Sequence, residues 1–463
     1  MATHQPTPTI LLPDLPPKTL VGIDLITFTS TANFHGIRDL CPGWHFLYTG
    51  TTETLSLRTG AWFYIGDLKT AGKGAHDTAL VATHSKQTSP DIYIWKWSAD
   101  TETLVPLDDS DSARQEAMRY KANLGAVWQS GGLFKYRSRI APSMLVKPAD
   151  QDQDQDQGKD ADQTQAQTRT RPQIEARVQT EDDGRTEECG RRDWTGLTNR
   201  LSGTLLSRVI GDPEMDVDGH PRWLLSSAST ANRDTDHIPG VDSPEGDESG
   251  VEQEREFGFI PIDLKRTWRE GAVGRERTEA AQDRSWALGD LIERFAGGEG
   301  GNELLGELQF TFLMVLTMMN YSCLQQWKRI LELVLTSRKA IIDREEFMGE
   351  VVRILALQLQ RCDDVEGGLF EIDGDEGGAF LRNLLVKFRQ SVDDLVDDDS
   401  LVKQELNVLE EWVKAEYDWD LHRGTLLRQG LLQLEDGEQV EMDWDGNDED
   451  EETGEYAPVI VDM

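Results

Sequence analysis

The chain has 463 residues and a formal net charge of −38, from 47 Lys and Arg against 85 Asp and Glu. That length implies two or three domains, and a hydrophobic content of 38% implies that part of the chain buries nothing. So acidic a chain argues against phosphate-backbone binding as the main activity, which needs a Lys/Arg surface to release counterions; a basic partner, or simple solubility, fits better.

The N-terminus, Met1 to Pro6, has no basic region and no long apolar run, so no signal peptide is expected. Residues 8–149 then read as a β-rich domain. Val21, Ile23 and Leu25 alternate with Gly22, Asp24 and Ile26, and Trp44, Phe46 and Tyr48 with His45 and Leu47. Ala61–Ile65 and Ile92–Trp97 are two more β-branched and aromatic runs. Alternation of this kind suits a sheet with one buried face. Pro42-Gly43, Thr59-Gly60 and Gly66-Asp67 mark turns, and no strong helix intervenes before about Asp111, so antiparallel pairing is expected. A short helix is predicted from Ser112 to Leu124.

Residues 150–190 change character, with a strict Asp-Gln alternation followed by Gln, Thr and Arg, and 212–255 are rich in Asp, Gly, Ser and Pro. Both read as disordered linkers, because they hold too little apolar surface to offset the entropy of ordering them. Between them, 191–211 carry Trp194, Leu197, Leu201, Leu205 and Val209 at steps of three and four, the face of one amphipathic helix. Either neighbouring domain could receive it.

Residues 256–424 read as a helical domain. Leu304 to Met319 is apolar nearly all round and is expected at the centre of a bundle. Leu308 to Leu324 is the most lipid-like stretch, but Gln309, Asn320 and Ser322 interrupt it, and a buried helix is expected rather than a membrane span. Further helices are predicted around Trp286–Phe295, Leu324–Val334, Ile341–Leu359, Phe380–Leu395 and Leu406–Tyr417. Residues 425–463 form an acidic tail; from Glu435 onward it has thirteen acidic residues and no Lys or Arg, and is expected to be extended. It ends in a β-prone run, Tyr456 to Val461.

No catalytic or cofactor signature survives inspection. Gly72-Lys73-Gly74 lacks the spacing and the hydroxyl of a phosphate loop. Glu214, Asp216, Asp218 and Gly219 imitate a calcium loop, but Leu225 occupies the place of the bidentate Glu. The four cysteines and eight histidines show no metal-ligand spacing, and His45 within a strand pattern reads as a hydrogen-bonded structural histidine. No cofactor and no metal are expected. Two features point to binding instead. The terminal run could add to the sheet edge of a partner, with Val459 and Val461 facing one way and Ile460 the other, or it could pair within its own chain. Ser243, before Pro244, and Ser249, in an acidic setting, are candidate phosphorylation sites in the second linker.

Several blocks carry more than composition. Leu20–Asp24, Asn33–Arg38 and Cys41–Phe46 resemble the N-terminal signature of the A1-alpha-two-repression splicing-factor family. Leu304–Phe310 and Gln326–Leu331 resemble its C-terminal helical signature, and Tyr417–Asp420 and Tyr456–Val461 resemble two further blocks. The resemblance implies an α+β multidomain fold: a β-sandwich-like N-terminal domain and an all-helical, VHS-like C-terminal domain. It implies a non-enzymatic assembly factor of the U5 small nuclear ribonucleoprotein, in the cytoplasm and nucleus, with no direct nucleic-acid or membrane partner. Family members hold the large spliceosomal scaffold protein through its RNase H-like and MPN-like domains and delay helicase binding until phosphorylation releases them. On this resemblance Tyr456, Pro458, Val459, Ile460 and Val461 become the candidate partner-binding residues. Within the helical block Trp327 is expected in the core, with Lys328 and Arg329 as further candidate contacts. The competing readings are a VHS-like trafficking adaptor, which would want a basic lipid-facing patch, and an acidic chaperone of basic proteins, which would bind with strong salt sensitivity.

Overall fold

The computed structural model describes residues 7–51, 57–66, 91–138, 187–231, 256–295, 301–361 and 380–422, and the backbone of 375–379, 429–433 and 439–443. The N-terminal half opens with β1 (Thr9–Leu11), β2 (Leu20–Ile23), β3 (Ile26–Thr29), β4 (Gly36–Arg38), β5 (Gly43–Gly50), β6 (Arg58–Ile65), β7 (Ile92–Ser98) and β8 (Thr103–Pro106). Helix α1 (Asp111–Gln129) and strand β9 (Leu133–Lys135) follow. The α1 helix is longer than its apolar pattern announces. Ser110 caps it by accepting the Ala113 N–H, which satisfies an otherwise orphaned donor.

The chain then forms α2 (residues 187–198), α3 (Gly203–Val209), β10 (Glu214–Met215) and β11 (Pro221–Ser226). The strands make two sheets, with orders β10-β11-β6-β5-β2-β3 and β8-β7-β1-β4-β9. The first is antiparallel throughout. The second is mixed, because β1 lies parallel to β7 and β4 parallel to β9, each after a long excursion of the chain. Ile10, Val21, Ile23, Ile37, Leu47, Phe63 and Trp95 fill the space between the sheets.

Strand β5 corrects the expectation of a single buried face. His45 and Leu47 point into the sandwich, while Trp44, Phe46 and Tyr48 point away from it and are equally buried. They pack into the same apolar core as the helices that follow. Alternating aromatics between apolar neighbours marked a strand buried on both sides.

The C-terminal half comprises α4 (Arg275–Gln282), α5 (Ser285–Phe295), α6 (Asn302–Met318), α7 (Tyr321–Leu335), α8 (Ala340–Asp343), α9 (Glu345–Leu359), α10 (Asp375–Leu395) and α11 (Leu401–Tyr417). Helix α6 is the axis: every residue from Leu304 to Met318 is buried. No helix among the described residues is long and apolar enough to cross a membrane. Met319 ends α6 in the left-handed conformation, and Asn320 starts α7 by accepting the Cys323 N–H.

Further boundaries differ from the sequence reading, beginning with the linker expected over 150–190, whose last four residues open α2. The single helix expected over 191–211 is two helices, α2 and α3, separated at 199–202, and Ser202 caps the second by accepting the Leu205 N–H. The linker expected over 212–255 begins with ordered structure: β11 pairs with β6 from Arg222↔Phe63 to Ser226↔Thr59, and Trp223 and Leu225 are buried. Residues 256–274, expected as helix, run without helical structure, with Phe257, Ile260 and Ile262 in the core. The acidic tail of 425–463, expected to be extended from Glu435 onward, contains a hairpin of β12 (Gln429–Gln433) and β13 (Gln439–Asp443), whose sequences include the apolar Leu431, Leu432, Val440 and Met442.

Candidate functional site

The two halves share one continuous core, and the connecting segments are bonded into it from both sides. Trp194 Nε1 of α2 donates to the Trp44 carbonyl on β5 at 2.7 Å, and Trp44 Nε1 donates to the Leu201 carbonyl at 3.1 Å. Trp62 stacks on Trp194 with centroids 6.0 Å apart. On the other side Gln309 of α6 donates from Nε2 to the Gly196 carbonyl and to Asn199 Oδ1, both at 2.8 Å, and its Oε1 accepts the Arg200 N–H at 3.0 Å. The break between α2 and α3 is where these groups meet. Gly306 lets the helix come this close: a Cβ there would lie 2.6 Å from the Arg200 carbonyl oxygen.

Glu307 is fully buried one residue away. Its carboxylate accepts the Ile260 N–H at 3.0 Å, Gln326 Nε2 at 2.8 Å and Arg208 Nη1 of α3 at 2.8 Å. Burial pushes its carboxyl above the usual range, opposed by the charge of Arg208 and these donors. Gln326 also donates to the Ile260 carbonyl at 2.9 Å, so residue 260 is held by both its backbone groups. Asn320 Nδ2 holds the Ser227 and Ser229 carbonyls just beyond β11, at 3.1 and 2.8 Å. Arg58 Nη1 of β6 donates to the Thr317 carbonyl near the end of α6 at 2.8 Å. These links make the sandwich and the helices a single platform.

Inside the sandwich a second buried network sits where β2 turns into β3. Asp24, at φ 55°, accepts the Phe46 N–H at 2.9 Å, the Tyr136 hydroxyl at 2.6 Å and His45 Nδ1 at 2.7 Å. His45 Nε2 faces the Cys41 carbonyl at 2.7 Å. A carboxylate and a carbonyl both accept, so this setting favours the imidazolium, in which both ring nitrogens donate. Burial lowers its pKa, but the charge of Asp24 and the two hydrogen bonds outweigh that and hold it above the ordinary value. Burial likewise pushes the Tyr136 hydroxyl well up, so it stays a donor.

A cleft of about 310 Å³ opens beside this network, lined by Asp39, Cys41, Lys135, Tyr136, Glu187 and Arg191 among others. At the sandwich's opposite corner Asp216, Asp218 and His220 bring ligand-type atoms together. Asp216 Oδ1 accepts the Asp218 and His220 N–H groups within the turn, and Lys121 of α1 holds Asp218 from outside it at 2.7 Å.

The candidate contacts read from sequence fall in different places. Lys328 on α7 is half-buried, with its ammonium 5.3 Å from the centre of the Phe380 ring on α10, so it serves the packing of those two helices. Arg329 beside it is also half-buried. Trp327 is in the core, and its Nε1 donates to Gln358 Oε1 at 2.9 Å. Ser243, Ser249 and the run from Tyr456 to Val461 lie outside the described residues. Glu307, Gln309, Asn320 and Gln326 were not read as functional from sequence. Their signal was present: single polar residues in otherwise apolar helices, each needing a partner once buried.

The sequence matches two family models in chain order: the AAR2 N-terminal domain over residues 6–211 and the AAR2 C-terminal repeat region over residues 259–422. The first model thus runs through α2 and α3, which the structure places against both halves. Among curated proteins the chain is similar to Protein AAR2 homolog of Homo sapiens, 26% identical over 424 residues covering 89% of each chain. It is also similar to Protein AAR2 homolog of Pongo abelii, 23% identical over 424 residues and 89% of each chain. The Oryctolagus cuniculus homolog matches at 34% identity over 89 residues, 19% of this chain and 26% of that one. The chain belongs to the AAR2 family of splicing-related factors.

Proposed function

We propose that this protein is an assembly factor of the U5 small nuclear ribonucleoprotein, acting between cytoplasm and nucleus without catalysing a reaction. It holds the large spliceosomal scaffold protein through that protein's RNase H-like and MPN-like domains and keeps the duplex-unwinding helicase away until it leaves. The observation that carries this reading is the succession of both family domains along one chain, bonded into one platform by α2 and α3. A platform whose halves are bonded to each other suits a factor that fixes two partner domains relative to each other. The acidic arm supplies the remaining contact, with Val459, Ile460 and Val461 adding as a strand to a partner sheet and Tyr456 and Pro458 at its entry. Phosphate at Ser243 or Ser249 would add about −2 charge and favour release.

The test is a pull-down with the scaffold's RNase H-like domain, and with a wider fragment containing both domains, using the full chain and a chain lacking residues 455–463. Binding of the full chain to both, weakened for the wider fragment by the deletion, supports the reading. No binding of the full chain, together with no effect of the deletion, overturns it.

A further inference from the structure

The two large sheets end in four strands: β3 and β10 in one, β8 and β9 in the other. Three are poor hosts for an acidic strand. β10 carries Glu214 between Asp212 and Asp216. β8 lies between Glu102 and Asp108, and its Leu104 carbonyl is taken by Arg222 Nη1 at 2.8 Å. β3 has no charged residue. β9 differs. Lys135 is exposed within it, Arg38 of β4 is its partner in register, and Arg137 and Arg191 line the adjoining cleft; Asp39 pairs with Arg38 at 2.8 Å and Glu187 lies 4.0 Å from Arg191, so the cations here outnumber the acids.

The Tyr136 N–H reaches inward to the Arg38 carbonyl at 2.8 Å, so by the two-residue period of a strand the groups of Leu133 and Lys135 face away from β4. No described strand pairs with that side. The neighbouring ground is aromatic: Phe134 stacks on Phe28 with centroids 4.8 Å apart, and Phe34 meets Phe28 edge-on at 5.2 Å. All three are half-buried. A fresh strand laid on β9 would bring side chains against this cluster while its flanking acids met the cations.

We propose that the occupant is the chain's own terminal segment, Tyr456 to Val461, parked on β9 when no partner is bound. The segment lies outside the described residues, and three features select it. It is short and β-prone, as a three-residue edge requires. The last twenty residues hold eight acidic residues and no Lys or Arg, so charge directs it to β9, where cations outnumber acids, rather than to the other three described edges. The chain from Asp443 to Tyr456 spans up to about 40 Å when extended, and tethering sets an effective concentration in the mM range. This rests on the reading of the arm as a strand donor and adds its regulation: the partner must win the strand from β9, so an exposed adhesive strand is covered in the free protein.

Amide hydrogen exchange of the free full chain tests this, read by mass spectrometry on peptides covering 130–138. The comparison is with Ile460→Pro, which removes a ladder donor, and with a chain ending at Glu455. The expected result is exchange about tenfold slower at Leu133 and Lys135 in the full chain than in either variant, unchanged on dilution. Equal exchange in all three overturns the proposal, even if the arm binds the scaffold in the pull-down. Protection that fades on dilution also overturns it, assigning the edge to the arm of a second copy.

Discussion

Trp194 and Trp44 are 150 residues apart in the chain, yet the indole N–H of the first donates to the main-chain carbonyl of the second at 2.7 Å. The bond joins α2 to the outer face of β5, and the Trp44 indole returns the link to the Leu201 carbonyl. Trp194→Phe keeps most of the apolar contact and deletes the donor, leaving a buried carbonyl short of its partner. The expected loss is about 1–3 kcal/mol in urea unfolding. Because the core is shared, wild type should unfold in one transition by both tryptophan fluorescence and far-ultraviolet dichroism. Two resolved transitions in wild type would contradict a common core.

Gly306→Ala tests the closeness of α6 to the α2–α3 junction. A Cβ at this position would meet Leu205 Cδ1 at 2.5 Å and the Arg200 carbonyl oxygen at 2.6 Å. A side-chain carbon can rotate aside, but the carbonyl belongs to a backbone already bonded to Gln309 through the Arg200 N–H. Overpacking of this kind costs about 1–3 kcal/mol, although alanine is the better helix former. A variant as stable as wild type in urea would show that the junction yields freely.

Glu307→Gln replaces an acceptor of three donors by an amide that accepts at one atom and donates at the other. Its N–H₂ must then face Arg208, Gln326 or Ile260, each of which donates to Glu307 in the wild type. The expected loss is about 1–3 kcal/mol. Amide exchange should accelerate at Ile260, whose N–H loses its carboxylate partner, and should stay unchanged in β1 and β7. Uniform acceleration across the whole chain would instead indicate global destabilisation without a local role.

The His45–Asp24 pair makes stability fall as pH rises above about 6.5. The imidazole pKa is raised in the folded state above its ordinary value of 6.5. The folded protein therefore binds this proton more tightly than the unfolded chain. Its stabilisation is complete below pH about 6.5 and disappears as pH rises through the folded pKa. His45→Gln removes the titration and leaves Asp24 without its cation, at a cost of about 3–5 kcal/mol at pH 6. The gap in urea midpoint between wild type and variant should narrow from pH 6 towards pH 9. Parallel curves would show that His45 does not titrate with folding.

Much of the architecture was legible in the residues themselves. The alternation in Trp44–Tyr48 and Ala61–Ile65 marked strands, and the stripes from Trp286 to Phe295 and from Leu324 to Val334 marked helices. Those signals are local, because they repeat within one element. The regular steps from Trp194 to Val209 marked an apolar face equally well, but a helix break leaves such steps almost intact, and Ser202 at the cap was a local cue to it. Ile341–Leu359 read as one helix for the same reason, and is α8 followed by α9.

Sequence by itself determined the acidic character of the chain, the division into a strand-rich and a helical half, and the isolated polar residues of α6 and α7 that would need partners. Tertiary structure alone decided who those partners are. Trp223 and Leu225 lie in a stretch with the composition of a linker, and only pairing with β6, more than 150 residues earlier, orders them. Gln309, Glu307 and Asn320 find acceptors and donors on segments 47 to 113 residues away. Such bonds are invisible in any local pattern, because a buried polar group states that it must be satisfied but not by which part of the chain.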